Sequence, residues 1–219
     1  MSRTGTKIGM IAMVVLSIGV GLWSFRFAAV PWNIWPAIAP GIQEVVRHVP
    51  LQALTHMLIA PIALLVGPFQ FIPQLRAKRP ALHRWMGRTY VAACLIAGVG
   101  ALAVAPYASG GPVASLGFGT LAVLWIAATA GAWRAAVRRD FALHRKLMLY
   151  SFAMTFGAVT LRLQIPLGIM FFGFSDYRSM SPWLSFTAWV PNVLAVWLYL
   201  QLMALGPPRT AAMRSSYGR

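Results

Sequence analysis

Residues 81–84 read Ala-Leu-His-Arg, and residues 142–145 read Ala-Leu-His-Arg again, 61 positions further along the chain. Each copy lies in a strongly basic segment and directly precedes a long apolar run. A basic segment followed by about 20 apolar residues is typical of a turn that leads into a membrane-spanning helix. The two copies therefore predict two related transmembrane hairpins whose basic bends lie at the same membrane face.

The composition of the whole chain agrees with a membrane protein. Of its 219 residues, 59% are hydrophobic and 10% are charged, whereas roughly a quarter of the residues of a soluble domain are charged. We expect one all-α domain over residues 1–219, with six transmembrane helices and an internal parallel hairpin repeat. The predicted spans cover about residues 8–25, 51–72, 85–105, 113–133, 147–170 and 183–205.

Two segments at the start of the chain need a separate interpretation. The first apolar run resembles a signal peptide, but no small-x-small cleavage site follows it, so we expect a retained first span. Residues 27–50 contain four prolines and predict no span. Within them, Trp35 suits the headgroup level, and residues 41–48 predict a short surface helix in which Glu44 pairs with Arg47 or His48.

The positive charge indicates orientation rather than nucleic-acid binding. The net charge is +16, but 15 of the 19 Lys and Arg residues fall in the two terminal segments and in the two basic bends. Short basic loops between spans follow the positive-inside rule. We therefore expect a multi-pass protein of the bacterial inner membrane with both termini in the cytoplasm, and no nucleic-acid partner. The one cysteine, Cys94, excludes a disulfide framework within the chain.

The two repeated histidines are candidate ligands of a metal or a haem. Pro80 suits the first turn of one helix, and Asp140 can cap the start of the other, so His83 and His144 fall in equivalent first turns. The helix dipole there favours neutral imidazole, which is the form that binds a metal. Asp140, four residues before His144, can orient the ring. The alternative is that both segments are helix starts that bind lipid phosphate.

Two further ionisable residues lie inside predicted spans. His56 and Arg162 are therefore candidate functional residues. His56 can instead form a hydrogen bond to a neighbouring helix. Arg162 needs an anion or several carbonyls; the candidate partners are Glu44, Asp176, a haem propionate, a lipid phosphate or a quinone carbonyl. A snorkelling side chain or a structural ion pair is the alternative.

The pattern of these residues resembles a known family. It consists of His56, Gly-Pro-Phe-Gln-Phe at 67–71, the segment 79–90, Asp-Phe-Ala-Leu-His-Arg at 140–145, and Arg162. Over about residues 50–165 it resembles the bacterial DUF2306 family of predicted membrane proteins. The histidine-bearing layout of that family is similar to the b561-type cytochromes, which place histidine pairs on facing helices. Because the fourth span of this chain has no histidine, the resemblance implies one haem b site, formed by His83 and His144.

Two functions remain open at this point. The first is a cofactor-binding, b-type haem electron-transfer subunit. The second is a non-catalytic accessory or scaffold subunit that packs against a larger membrane complex or lipids. The chain has no Gly-rich phosphate loop, HExxH or Gly-x-Ser-x-Gly motif, and three acidic residues with none at mid-membrane do not favour a proton-driven transporter. The expected partners are membrane lipids and other membrane-protein subunits.

Overall fold

A computed structural model describes residues 3–35 and 41–205. This part of the chain forms nine α-helices and no strand. The helices are α1 (Arg3–Ser24), α2 (Gln43–His48), α3 (Pro50–Val66), α4 (Pro73–Lys78), α5 (Pro80–Val104), α6 (Gly111–Val137), α7 (Phe141–Phe172), α8 (Tyr177–Thr187) and α9 (Val190–Leu205). Short 3-10 helices cover Phe25–Ala29, Trp32–Ile34, Pro68–Phe71 and Ala105–Tyr107.

Six helical stretches are long and apolar enough to cross a membrane, which confirms the predicted all-α fold. They are Lys7–Ala29, Pro50–Phe71, Pro80–Tyr107, Gly111–Val137, Phe141–Phe172 and Tyr177–Ala204. Large apolar side chains point outward along them; Trp85 is 71% exposed and Phe172 is 77% exposed within the protein itself. Such surfaces are stable when acyl chains cover them, so the helices contact lipid.

Several helix ends differ from the prediction because local capping extends the helices. The helix of the third span begins at Pro80, which confirms the predicted first turn, so it starts five residues before the predicted apolar span at residue 85. The sixth begins at Tyr177 rather than near residue 183, because the Asp176 carboxylate accepts the Ser179 N–H at 2.8 Å. The predicted loop over 171–182 is therefore reduced to residues 173–176, and Gly173 ends α7 with a φ of 68°.

The proline-rich segment after α1 does form a short helix, α2, in which His48 Nδ1 lies 3.5 Å from Glu44 Oε2. Pro36 and Pro40 fall outside the described residues. Trp35 differs from its prediction: it is 1% exposed, and its indole N–H donates to the Phe27 carbonyl at 3.0 Å. The ring is therefore buried in a cluster with Phe27 and Val46 and has no edge exposed to the headgroup layer.

The centre of the fold is a pair of helical hairpins. Helix α3 packs along α5, and α6 packs along α7, while α5 and α6 also touch. The contact between α3 and α5 is close at Gly100, where an added Cβ would lie 2.9 Å from the Gln52 carbonyl oxygen. Because one antiparallel helix separates α5 from α7, these two helices run in the same direction. The end of the bundle that carries residues 73–84 and 134–146 is called the basic end below.

Candidate functional site

The two repeated histidines occupy the same position in their helices. His83 is the fourth residue of α5, and His144 is the fourth residue of α7. Each donates its backbone N–H to the residue just before its helix, at 3.0 Å in both cases. The Asp140 carboxylate accepts the Leu143 N–H at 3.0 Å and so caps α7. Both histidines therefore start a membrane-crossing helix at the basic end.

A hydrogen bond two turns further on fixes how α5 and α7 face each other. The Tyr90 hydroxyl lies 2.9 Å from Ser151 Oγ and 2.9 Å from Thr155 Oγ1. Tyr90 and Ser151 are 61 residues apart, as His83 and His144 are. Each is seven residues beyond its own histidine, about 10 Å along the helix axis. Because the helices are parallel and share this register, the two histidines lie at about the same level along the bundle.

Buried polar side chains from three helices surround that hydrogen bond. Thr129 Oγ1 of α6 lies 2.7 Å from Ser151 Oγ, and the Trp125 indole N–H donates to Thr155 Oγ1 at 2.9 Å. Every member is at most 6% exposed. Interhelical hydrogen bonds of this kind hold membrane helices in one rotational setting. This network was not predicted, although the same 61-residue spacing separates Tyr90 from Ser151.

The ring of His144 is oriented by a backbone carbonyl. Its Nδ1 lies 2.9 Å from the Ala132 oxygen of α6. Because a carbonyl oxygen accepts only, Nδ1 carries the hydrogen, and the neutral ring keeps its lone pair on Nε2. Such a hydrogen bond is the usual support of a metal-ligating histidine. Asp140 was predicted to orient this ring, but its carboxylate caps the helix, and the Ala132 carbonyl accepts the hydrogen bond from the ring Nδ1.

The surroundings of His83 contain unsatisfied polar atoms. His83 Nδ1 and Gln70 Nε2 are both buried and have no hydrogen-bond partner among the described residues. Gln70 packs against Gly87, one turn beyond His83, where an added Cβ would lie 3.2 Å from Gln70 Oε1. Arg76 and Arg84 place positive charge near the His83 ring. Buried polar atoms without partners are costly unless something binds them, so these residues fit a bound group that carries negative charge at its edge.

The other two predicted residues lie together at the opposite end of the bundle. His56 Nδ1 lies 2.9 Å from the Ala97 carbonyl oxygen of α5. Arg162 donates to the Ala158 carbonyl at 3.0 Å and to Ser24 Oγ of α1 at 3.1 Å. Arg162 is near enough to His56 that its charge would repel a protonated His56 ring. The structure therefore separates the five candidates into His83, His144 and Asp140 at the basic end, and His56 and Arg162 at the other.

The acids that were candidate partners of Arg162 are used elsewhere. Glu44 pairs with His48, and Asp176 caps α8. His56 also has no histidine mate in the repeat: the position 61 residues later is Gly117, which packs directly against Ser185. The hairpin repeat is thus symmetric at the basic end and asymmetric at the opposite end.

Fold and site define a polytopic α-helical membrane protein with two histidines at equivalent positions at one end of its bundle. Residues 53–200 match the family described as "Predicted membrane protein (DUF2306)". The match covers more than half of the chain, so the chain belongs to this family, and the resemblance seen over about residues 50–165 is confirmed. No curated protein and no solved structure matches the chain.

Proposed function

We propose that this protein is an electron-transfer protein of the bacterial inner membrane and that it holds one b-type haem between His83 and His144. The observation that carries the proposal is the equivalent placement of the two histidines. Both are the fourth residues of parallel helices, and the Tyr90–Ser151 hydrogen bond aligns those helices in the register of the repeat.

The two rings have the chemistry that axial ligation requires. A neutral imidazole binds iron through a nitrogen lone pair, and His144 presents Nε2 for this purpose because the Ala132 carbonyl holds Nδ1–H. The Nδ1 atom of His83 is buried without a hydrogen-bond partner, so a bound group could supply the contact that it lacks.

Two basic side chains at this end of the bundle would bind the charged edge of the haem. Arg76 and Arg84 are close enough to His83 for their charges to interact with it. Guanidinium groups form strong, charge-assisted hydrogen bonds with carboxylates, so these two arginines would hold the haem propionates. When bound, the haem supplies a one-electron couple of its iron, whose potential depends on the axial ligands and on the polarity around it.

The test uses the full-length protein purified in a mild detergent. We expect one haem per chain by pyridine haemochromogen assay and a sharp α band in the dithionite-reduced minus oxidised spectrum. His83→Ala and His144→Ala should each lose the haem. His48→Ala is the matched control, because His48 is an exposed histidine at the other end of the bundle, stacked on Tyr107.

A second variant covers the case in which the alanine variants fail to fold. His83→Met keeps a soft axial ligand, so it should retain the haem with a raised reduction potential. A wild-type protein without an α band, expressed in haem-replete cells, would eliminate the haem and leave the accessory or scaffold role. A band that survives in both alanine variants would eliminate the ligand assignment.

A further inference from the structure

The end of the bundle opposite the haem candidates holds a cluster of two positively charged side chains from separate parts of the chain. Arg162 comes from α7, and Arg26 comes from the 3-10 helix after α1. Arg162 contacts Ser24, which is two residues before Arg26, so the two arginines lie near each other. Ser24, the last residue of α1, accepts from Arg162 at 3.1 Å. The cluster lies far from His83 and His144 and is independent of the proposed haem.

The cluster has no carboxylate to balance it. Within residues 3–35 and 41–205, the one ion pair is His48–Glu44. The Asp176 carboxylate accepts the Ser179 N–H. Arg162 and Arg26 therefore repel each other in a partly desolvated place where charges interact more strongly than in water. A half-buried guanidinium inside a membrane span is stable only if an anion or enough carbonyls meet it.

Most donors of the two arginines remain free for a ligand. A guanidinium has five N–H donors. Among the described residues, Arg162 has hydrogen bonds to Ala158 and Ser24, and Arg26 has one to the Trp23 carbonyl at 3.2 Å. The Ser24 hydroxyl donates its hydrogen to the Val20 carbonyl at 2.8 Å. Its oxygen is therefore free to accept from Arg162, and this hydrogen bond holds the Arg162 side chain in place. The free donors form the fork that suits phosphate and carboxylate oxygens.

The depth of the cluster matches the headgroup layer. Sixteen residues separate Lys146 from Arg162, which is about 24 Å along α7, against a hydrocarbon thickness of about 30 Å. With Lys146 placed at the near edge of the hydrocarbon, Arg162 lies about 6 Å short of the far edge, within reach of an arginine side chain. Arg26 lies over the rings of Trp23 and Phe27, at 4.5 and 4.4 Å, and Trp23 is 62% exposed. Tryptophan beside arginine is typical of the interface.

We propose that Arg162 and Arg26, with Arg162 positioned by Ser24, bind a phosphate group at this end of the protein. The phosphate comes either from a phospholipid headgroup of the adjoining leaflet or from the free anion. Arg162 contacts it from within the bundle, and Arg26 contacts it from the membrane side. The bound phosphate neutralises two like charges that no described protein carboxylate meets.

The two sources are separated by measuring the thermal unfolding midpoint of the full, delipidated chain in neutral detergent. One arm titrates dioleoylphosphatidylglycerol into the micelles. A second arm adds inorganic phosphate, and sodium chloride at matched ionic strength measures plain screening. The variants are Arg162→Gln and Arg26→Gln. Arg178→Gln is the control, because Arg178 is an exposed arginine at the same end that lies outside the cluster.

We expect phosphatidylglycerol, inorganic phosphate or both to raise the midpoint beyond the effect of chloride. Loss of one charge-assisted contact should weaken the apparent affinity of Arg26→Gln roughly tenfold, and Arg178→Gln should bind as the wild type does. A rise with lipid alone assigns the headgroup; a rise with the inorganic ion assigns the free anion as well.

Two results would overturn the site. One is that neither probe shifts the midpoint more than chloride does. The other is that Arg178→Gln weakens the response as much as Arg26→Gln, because the response would then reflect general surface charge. If Arg162→Gln does not fold, Arg26→Gln still decides the matter, since Arg26 is half-exposed and its loss leaves the α7 contacts intact.

Discussion

Replacing Tyr90 by phenylalanine removes one hydroxyl from the interface of α5 and α7 and leaves the ring in place. Tyr90 is fully buried and its hydroxyl makes two hydrogen bonds, to Ser151 and to Thr155. Interhelical hydrogen bonds in membrane proteins average about 0.6 kcal/mol in double-mutant cycles. Two of them give an expected loss of about 1 kcal/mol in the free energy of unfolding. Ser151 and Thr155 keep Thr129 and Trp125 as partners, so little further penalty should follow.

The measurement is equilibrium unfolding of the full chain in mixed micelles, with Tyr199→Phe as the control. Tyr199 is 40% exposed on α9 and has no hydrogen bond to the network, so its replacement should change stability little. The double variant Tyr90→Phe with Ser151→Ala should give a coupling energy near 0.6 kcal/mol.

This experiment also tests the basis of the proposed haem site, because the same register brings His83 and His144 to one level. A Tyr90→Phe variant as stable as Tyr199→Phe, together with zero coupling to Ser151, would show that the two positions do not face each other. The shared register of α5 and α7, on which the placement of His83 and His144 at one level depends, would then be refuted.

The remaining predictions concern packing, acid stability and orientation. Gly100→Val should destabilise the protein by about 1–3 kcal/mol, because its Cβ would lie 2.9 Å from the Gln52 carbonyl oxygen, while Gly19→Val, with nothing within 4 Å of its Cβ, serves as the matched control in the same unfolding assay. The hydrogen bond from the Ser179 backbone N–H lowers the pKa of the Asp176 carboxyl. The stability that this hydrogen bond contributes is present above the unfolded-state pKa and is lost as pH falls through the lowered pKa. Asp176→Asn should therefore reduce the fall of the thermal unfolding midpoint at acid pH. Green fluorescent protein fused to the C-terminus should fluoresce and alkaline phosphatase fused there should be inactive, because the basic end is expected in the cytoplasm; the reverse pattern would contradict that orientation.

Features that depend on local chemistry could be predicted from the sequence. The six spans depend on the length and apolar character of each run, and these properties do not change when the helices pack. The starts of α5 and α7 depend on Pro80 and Asp140, whose effects act within one turn. The loop before α8 was predicted too long, since the effect of the Asp176 cap was not recognised.

The candidate site could be predicted only in part. The repeat identified His83 and His144 as equivalent positions, and the intramembrane location of His56 and Arg162 identified them as unusual. The carbonyl that orients His144 could not be predicted, because every helical residue has a carbonyl and only the neighbouring helix determines which one is reached. Glu44 and Asp176 were predicted as partners of Arg162 because they are acidic. The partner in the structure is Ser24, a neutral residue 138 positions away in the sequence, which charge alone could not identify.

Composition and apolar run length were enough to predict a helical membrane protein with basic bends, and Pro80 and Asp140 indicated where its central helices begin. Which faces of those helices meet is visible only in the packed structure. Helices α6 and α7 have apolar residues on every side, since lipid covers one side and protein the other, so periodicity carries little information on their rotation. Rotation is instead decided by close approaches such as Gly100 against α3 and by hydrogen bonds such as Tyr90 to Ser151, and these exist only after the helices have packed.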